Sequence, residues 1–403
     1  MTRFIRAGRP VARRDFLAGA VSVGAALSLP APAVLAQTRA PIRLGMLNTF
    51  TGPITYAGAS ALAGMNLYFD SIGWTIAGRN VELIKEDDQF NPQIGLQKAK
   101  KFVESDHVDM ILGPQASNVA IALLNYTKQN KVFLVVTGAG TDAISWERYP
   151  YLFRTSLSGW QLSHPMAEWI YANLAKEIVL TASDYAGGRD VIDEFRRPYL
   201  AKGGTVMKEI YPPLGTTDFS PYLTVIKSIN PPATYNFYPG TDAVRFVQQY
   251  SQYGLKEHAP LTGYALVDAS TLPAQGRDAL GVITSTIYTD ALDNPENRRF
   301  VAAYRAKNGA NPDLYSDYGY VAARVVDETL KALDGDATNK DKLAEEMVKV
   351  AFKGPRGPFR FDPVTHNPIQ DVYICKVVDS GGTLVNQVIG TIREVRDPGV
   401  KDG

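Results

Sequence analysis

Residues 108–142 read VDMILGPQASNVAIALLNYTKQNKVFLVVTGAGTD, and the order of their patterns decides the fold. A short apolar run at 108–112 is followed by a small, polar loop, Gly113-Pro114-Gln115-Ala116-Ser117-Asn118. Residues 119–129 carry apolar side chains at helical spacing. A second apolar run at 132–136 ends in another loop, Thr137-Gly138-Ala139-Gly140-Thr141-Asp142. Strand, helix and strand in this succession make a βαβ unit, which requires a parallel sheet. The unbroken apolar character of 133–136 suits a strand covered on both faces.

The same alternation extends outward. Upstream, an apolar run at 42–47 meets the turn Thr51-Gly52-Pro53, and helical spacing follows at 57–72. A strand at 81–85 and an amphipathic helix at 92–104 complete that side. Downstream the pattern restarts: strands at 178–180, 205–210, 235–238 and 261–264 alternate with helical stretches at 189–200, 222–229 and 243–253. Two successive βα runs predict an α/β protein of two domains of one kind. The last third places helices at 294–307, 316–333 and 340–350 before strands at 359–361, 372–378 and 384–392. Late helices without a sheet of their own must pack on an earlier one. The chain is therefore expected to cross between lobes more than once, with candidate crossings near 154–158, 284–289 and 355–362. That gives a first lobe of 37–155 with 290–355 and a second of 156–289 with 356–403.

Residues 1–36 are expected to be an export leader. Arg13-Arg14-Asp15-Phe16-Leu17 precedes an Ala-rich apolar stretch at 18–29, and Val34-Leu35-Ala36 offers a small-residue cleavage site. The arginine pair resembles a twin-arginine signal, with cleavage after Ala36. The apolar stretch is shorter than the roughly 18 residues that span a bilayer. Five arginines and one aspartate go with the leader, leaving 37 basic and 40 acidic residues, a net charge of −3. Such a surface argues against nucleic acid as a partner. The single cysteine, Cys375, excludes an internal disulfide, and its strand-like context predicts a buried, inert thiol. A soluble, monomeric periplasmic protein is the expectation.

Loops just beyond the carboxyl ends of strands are where α/β folds build sites. Four qualify: Thr51 to Gly58, Gly113 to Asn118, Thr137 to Asp142, and Tyr238-Pro239-Gly240-Thr241-Asp242. Free N–H groups at a helix start, beside hydroxyls, attract a carboxylate. The alternative is that Ser117, Thr141 and Thr241 only cap their helices. Gln115 belongs to the second loop, and Tyr56, Tyr185, Tyr238 and Tyr264 fall at strand ends or loops facing the predicted cleft.

Gly138-Ala139-Gly140-Thr141-Asp142-Ala143 also fits G-x-G-x-x-A. It follows the fourth strand rather than the first and lacks the downstream acidic strand end, so a dinucleotide cofactor is not expected. There is no G-x-S-x-G, no H-E-x-x-H and no cysteine metal box. Asp87 and Asp88 are adjacent on a strand and point to opposite faces, which rules against a shared catalytic role. No enzyme activity, metal or cofactor is expected.

These residues resemble the type I periplasmic solute-binding proteins of the leucine/isoleucine/valine-binding family. The resemblance rests on Ile42-Arg43-Leu44-Gly45 with Thr51-Gly52-Pro53 and Gly58, on Glu86-Asp87-Asp88 with Asn91-Pro92, and on Gly113-Pro114-Gln115-Ala116-Ser117. Asp184-Tyr185-Ala186-Gly187-Gly188 and Gly354-Pro355-Arg356-Gly357 with Phe361-Asp362 extend it over 41–395. It implies two Rossmann-like lobes joined by a three-segment hinge, with ligand bound between them, and a receptor that delivers that ligand to an inner-membrane ABC permease. It also implies that Ser117, Ala139 and Thr141 hold a ligand carboxylate and that Tyr185 contributes from the second lobe. Two positions depart from the family. Ala265 stands where the amino-acid binders place the acid that meets the α-ammonium, with Asp242 and Asp268 as nearby substitutes. Ala57 stands where they carry a bulky aromatic. The departures point to a small hydrophobic or aromatic carboxylate. A branched-chain amino acid receptor and a ligand sensor for a signalling partner are the alternatives.

Overall fold

The computed structural model describes residues 39–400; the leader expected at 1–36 lies outside them. Residues Arg39–Gly403 belong to one compact unit. The first half runs β1 (Ile42–Asn48), α1 (Thr55–Ser71), β2 (Thr75–Ile76), β3 (Arg79–Asp87), α2 (Pro92–Glu104), β4 (Met110–Leu112), α3 (Ser117–Gln129), β5 (Leu134–Val136), α4 (Asp142–Trp146) and β6 (Leu152–Arg154). Then come α5 (Gly159–Asn173), β7 (Glu177–Ala182), α6 (Ala186–Ala201), β8 (Thr205–Ile210), α7 (Ser220–Ile229), β9 (Thr234–Phe237), α8 (Thr241–Gln252), β10 (Leu261–Tyr264), α9 (Leu272–Gln275) and β11 (Ile283–Thr286). The chain ends with α10 (Pro295–Asn308), α11 (Leu314–Ala332), α12 (Lys340–Met347), β12 (Ala351–Gly354), β13 (Gly357–Phe361), β14 (Pro368–Ser380) and β15 (Thr383–Arg396).

Two sheets result. The first has the order β2-β3-β1-β4-β5-β6, parallel except for β2. The second has the order β12-β13-β14-β11-β10-β9-β7-β8, with β15 on β14. Its β7 to β11 are parallel, while β12 to β15 join antiparallel. Period-two alternation explains how both faces are covered. Ile42, Leu44 and Met46 of β1 meet Met65 and Phe69 of α1 and Val321 and Val325 of α11. Leu47, on the opposite face, joins Phe102 of α2 and Leu123 of α3. The second sheet is sandwiched likewise by α5 and α6 on one face and α7 and α8 on the other.

The late helices do pack on the first sheet. Gly64 and Gly319 let α1 and α11 touch backbone to backbone: a methyl group on either would sit within 2 Å of a carbonyl oxygen, Ser316 or Ala61. The chain passes between sheets three times, after β6, after β11 and between α12 and β12. Arg356 ties these passes together. It is fully buried, its Nε lies 2.6 Å from Asp317 Oδ2, and its Nη1 donates to the carbonyls of Thr155 (2.9 Å) and Ser156 (3.2 Å). Asn294 Nδ2 donates to the Pro355 carbonyl at 2.9 Å, adding the second pass. Burial raises the Asp317 carboxyl to about 6 against the opposing pull of Arg356.

Three local expectations change. α5 was not foreseen, because Pro165 lies inside it and much of its surface is buried, which erases a one-sided stripe. The stretch expected as a crossing at 284–289 begins as β11, and the crossing follows it. The boundary expected at 355 falls inside the β12–β13 hairpin, whose strands pair in the second sheet while Phe359 and Phe361 pack in the first core. Cys375 is buried on β14, and burial pushes its thiol up to about 12.

Candidate functional site

The strand-end loops of both sheets enclose one cavity. Ile54 and Tyr56 follow β1, Gln115 to Ser117 follow β4, and Gly138 and Gly140 follow β5. Tyr185 and Gly187 follow β7, Phe237 to Gly240 end β9, and Tyr264, Ala265 and Asp268 follow or end β10. The first turn of α11 adds Leu314, Tyr315 and Tyr318. Eight of the lining residues are aromatic. Phe90 contacts Tyr185 at 5.9 Å between ring centroids, and Phe237 meets Tyr264 edge-on at 4.8 Å. Across from them, Tyr56 meets Tyr315 edge-on at 5.3 Å and Tyr315 meets Tyr318 at 5.7 Å.

Helix starts supply the polar groups. α3 begins on Ala116 and α6 on Tyr185, and neither receives a side-chain cap. α8 begins on Gly240, at φ +59°, also uncapped. The first N–H groups of a helix have no partner within it. Ser117 is the first residue of α3, and its hydroxyl makes no hydrogen bond among the described residues. The same is true of the Tyr185, Tyr264 and Tyr318 hydroxyls. A methyl group on Gly187 would lie 3.1 Å from Ser117 Oγ and 3.0 Å from the Tyr185 hydroxyl, so glycine is what lets these groups converge. Gln115 is 93% buried, with neither amide atom hydrogen-bonded, and its Oε1 lies where any side chain on Gly138 would be.

The electrostatics keep the hydroxyls as donors. Burial, then neighbouring Tyr315 and the Asp268 charge, pushes the Tyr56 hydroxyl well above its ordinary value. Burial likewise raises Tyr185 and Tyr264. Asp313, behind this wall at the start of α11, is pushed up to about 7 by burial and the Asp268 charge.

Six of the eight residues expected at the site line the cavity: Tyr56, Gln115, Ser117, Tyr185, Tyr238 and Tyr264. Ala139 and Thr141 do not. The Ala139 N–H is bonded to the Pro114 carbonyl at 3.1 Å, and the Thr141 hydroxyl donates to Asp190 Oδ2 at 2.6 Å, leaving Gly140 between them on the wall. Tyr238 lines the cavity, but its hydroxyl is engaged with Thr181 and its ring packs on Phe246. Thr141 occupies a cap position without capping, and Ser117 and Thr241 are first helical residues, so the capping alternative fails for all three. Of the two nearby acids, Asp268 lines the cavity. Asp242 instead accepts from the Gly215 N–H at 2.8 Å. The G-x-G-x-x-A loop leads only to the five-residue α4, beneath Gln115. Asp87 and Asp88 brace the β1–α1 loop, accepting from Thr51 and Thr49 hydroxyls at 2.7 and 2.6 Å.

Phe90, Phe237, Tyr315 and Tyr318 were not foreseen. Phe237 lies at the end of a strand that was foreseen, and the strand-end rule applied to Tyr238 reaches it too. Tyr315 and Tyr318 carried one weak signal, their i, i+3 spacing after the cap residue Asp313.

Residues 41–383 match a family model described as periplasmic binding protein. Over 392 residues the chain is 31% identical to Leu/Ile/Val-binding protein homolog 6 of Brucella melitensis biotype 1, covering 95% of this chain and 98% of that protein. It is similar in structure to an ABC transporter substrate-binding protein from Sphaerobacter thermophilus, with 37% identity, a TM-score of 0.84, and coverage of 89% and 100%. It is also similar to a solute-binding protein of an ABC transporter from Rhodopseudomonas palustris BisB5 solved with 3,4-dihydroxybenzoic acid. There the identity is 33%, the TM-score 0.85, and the coverage 89% and 99%.

Proposed function

Because the chain belongs to the periplasmic binding protein family, we propose that this ABC-transporter substrate-binding protein holds a small aromatic carboxylate between two closing lobes. One observation carries the ligand class. The uncapped starts of α3 and α6, with the free hydroxyls of Ser117 and Tyr185, open into a cavity walled by aromatic rings. Hydrogen-bond donors at a helix start suit a carboxylate, and rings around it suit a flat apolar body. Each aromatic contact adds about 0.5–1.5 kcal/mol. The buried Gln115 amide, without a partner among the described residues, is completed by ligand. The bound acid in the Rhodopseudomonas relative belongs to the same chemical class.

The rest of the reading follows from the family and the leader. The lobes hinge about the three passes that Arg356 joins. The twin-arginine leader is removed after Ala36, the protein works as a monomer in the periplasm, and it delivers ligand to an inner-membrane permease without covalent chemistry. No helix among the described residues is long and apolar enough to cross a membrane.

Asp268 favours a second reading, a branched-chain amino acid receptor, since an acid in the cavity is a partner for an α-ammonium. A thermal-shift panel of the twenty amino acids against benzoate- and cinnamate-type acids separates the two. Stabilisation by aromatic acids and none by leucine, isoleucine or valine is expected. The reverse pattern overturns the aromatic reading.

A further inference from the structure

Among the described residues Asp268 is the one carboxylate lining the cavity, and its two oxygens differ. Oδ1 accepts from the Ser270 N–H (2.9 Å), the Ser270 hydroxyl (2.6 Å), the Thr271 N–H (3.1 Å) and the Thr271 hydroxyl (3.3 Å). Oδ2 accepts nothing among the described residues. The residue is 92% buried and lines the cavity, so the surface that Oδ2 keeps faces that space. Its turn, pinned by Oδ1, fixes where Oδ2 sits. The charge bears on Tyr56, Tyr315 and Asp313, the wall formed by α1 and α11. Ser117 and the start of α3 belong to a different wall, after β4 of the first sheet, whereas Asp268 follows β10 of the second.

We infer that Asp268 Oδ2 is a specificity-determining acceptor, which selects aromatic carboxylates bearing a hydrogen-bond donor on the ring, such as a phenolic hydroxyl, over the bare acid. This rests on the aromatic-carboxylate reading. An ionised carboxylate only accepts. A ligand carboxylate held at the start of α3 brings a second negative charge into the cavity. A plain ring leaves Oδ2 buried and unpaired beside it, and like charges without an intervening donor repel. A ring hydroxyl removes that defect by donating to Oδ2. A site with a buried polar group awaiting a donor discriminates strongly against the analogue that lacks it.

The test is calorimetric titration of the purified protein with benzoate, 3- and 4-hydroxybenzoate, 3,4-dihydroxybenzoate and 4-fluorobenzoate. Fluorine is similar in size to a hydroxyl and donates nothing. At least one hydroxylated acid is expected to bind about tenfold or more tighter than benzoate and the fluoro acid, the size of one hydrogen bond to a charged group. Asp268→Asn keeps an oxygen for the Ser270 and Thr271 turn, and it is expected to shrink that ratio to about threefold or less. Should the variant fail to fold, the comparison of hydroxyl with fluorine in the wild type decides alone. Benzoate binding as tightly as every hydroxylated acid, or a ratio unchanged in a folded Asp268→Asn protein, overturns the inference while the aromatic reading stands. Binding of leucine and of none of the aromatic acids removes that reading and this inference with it.

Discussion

The helices of this protein start in two ways. α2, α5, α10, α11 and α12 begin on Asn91, Ser158, Asn294, Asp313 and Asn339, and each of these side chains accepts from a backbone N–H of the first turn. α1, α3, α6 and α8 begin on Ile54, Ala116, Tyr185 and Gly240, which make no such bond. All four of these residues line or adjoin the cavity. A missing cap costs about 1 kcal/mol of helix stability. α4, α7 and α9 are uncapped too, with Phe219 of α7 away from the cavity, so the difference is one of use: each of the five capped starts is served by its own side chain, whereas four uncapped starts turn N–H groups toward the cavity. α11 sharpens the contrast. It reaches the cavity too, but through the rings of Tyr315 and Tyr318, and it keeps its cap.

Closing one open start is the severest way to break the comparison. Ala116→Asp places a capping carboxylate where the ligand's own is proposed to sit. Like charges in a desolvated site cost several kcal/mol, so affinity for an aromatic acid is expected to fall about a hundredfold or more. Urea unfolding of the same variant is expected to show stability unchanged or raised by up to about 1 kcal/mol. Loss of stability with affinity intact contradicts the contrast.

Ser117→Ala removes one donor and leaves the backbone open. It is expected to weaken binding about tenfold in calorimetry, within the range for a hydrogen bond to a charged group. Thr141→Val belongs to a different class, since its hydroxyl serves Asp190 rather than the cavity.

The smallest effect on binding is expected on the scaffold side. Asn339→Ala or Asn294→Ala removes the cap of a helix none of whose residues lines the cavity. Each is expected to lower unfolding free energy by about 1 kcal/mol in urea and leave ligand affinity within about twofold. A tenfold affinity loss in either shows that capped and open starts are not separable.

Much of this was legible in order along the chain. The loops at Gln115 to Ser117 and at Tyr238 to Gly240 were readable because a strand followed by a helix places its connection at the sheet's carboxyl edge. α5 was not seen from its apolar pattern, yet Ser158 and Gln161 form a capping box, a signal written in the sequence. The weight given to Ala139 and Thr141 came from resemblance, and the structure shows what resemblance omits: both have internal hydrogen-bond partners.

Local periodicity is set by which face each side chain buries, so the sequence alone determined the alternating elements and the two α/β runs. It also carried the shortage of catalytic motifs. Which residues from different passes meet depends on packing between distant segments. Only the tertiary structure put Tyr315 against Tyr56, a contact that follows from the close approach of α1 and α11 at Gly64 and Gly319. Only it chose Asp268 over Asp242 for the cavity: Asp242, in the first turn of α8, accepts from the Gly215 backbone, whereas Asp268, in the loop after β10, lines the ligand space. And only it left Gln115 buried without a partner. Hydrogen-bond satisfaction is a property of the folded surroundings, which no spacing along the chain records.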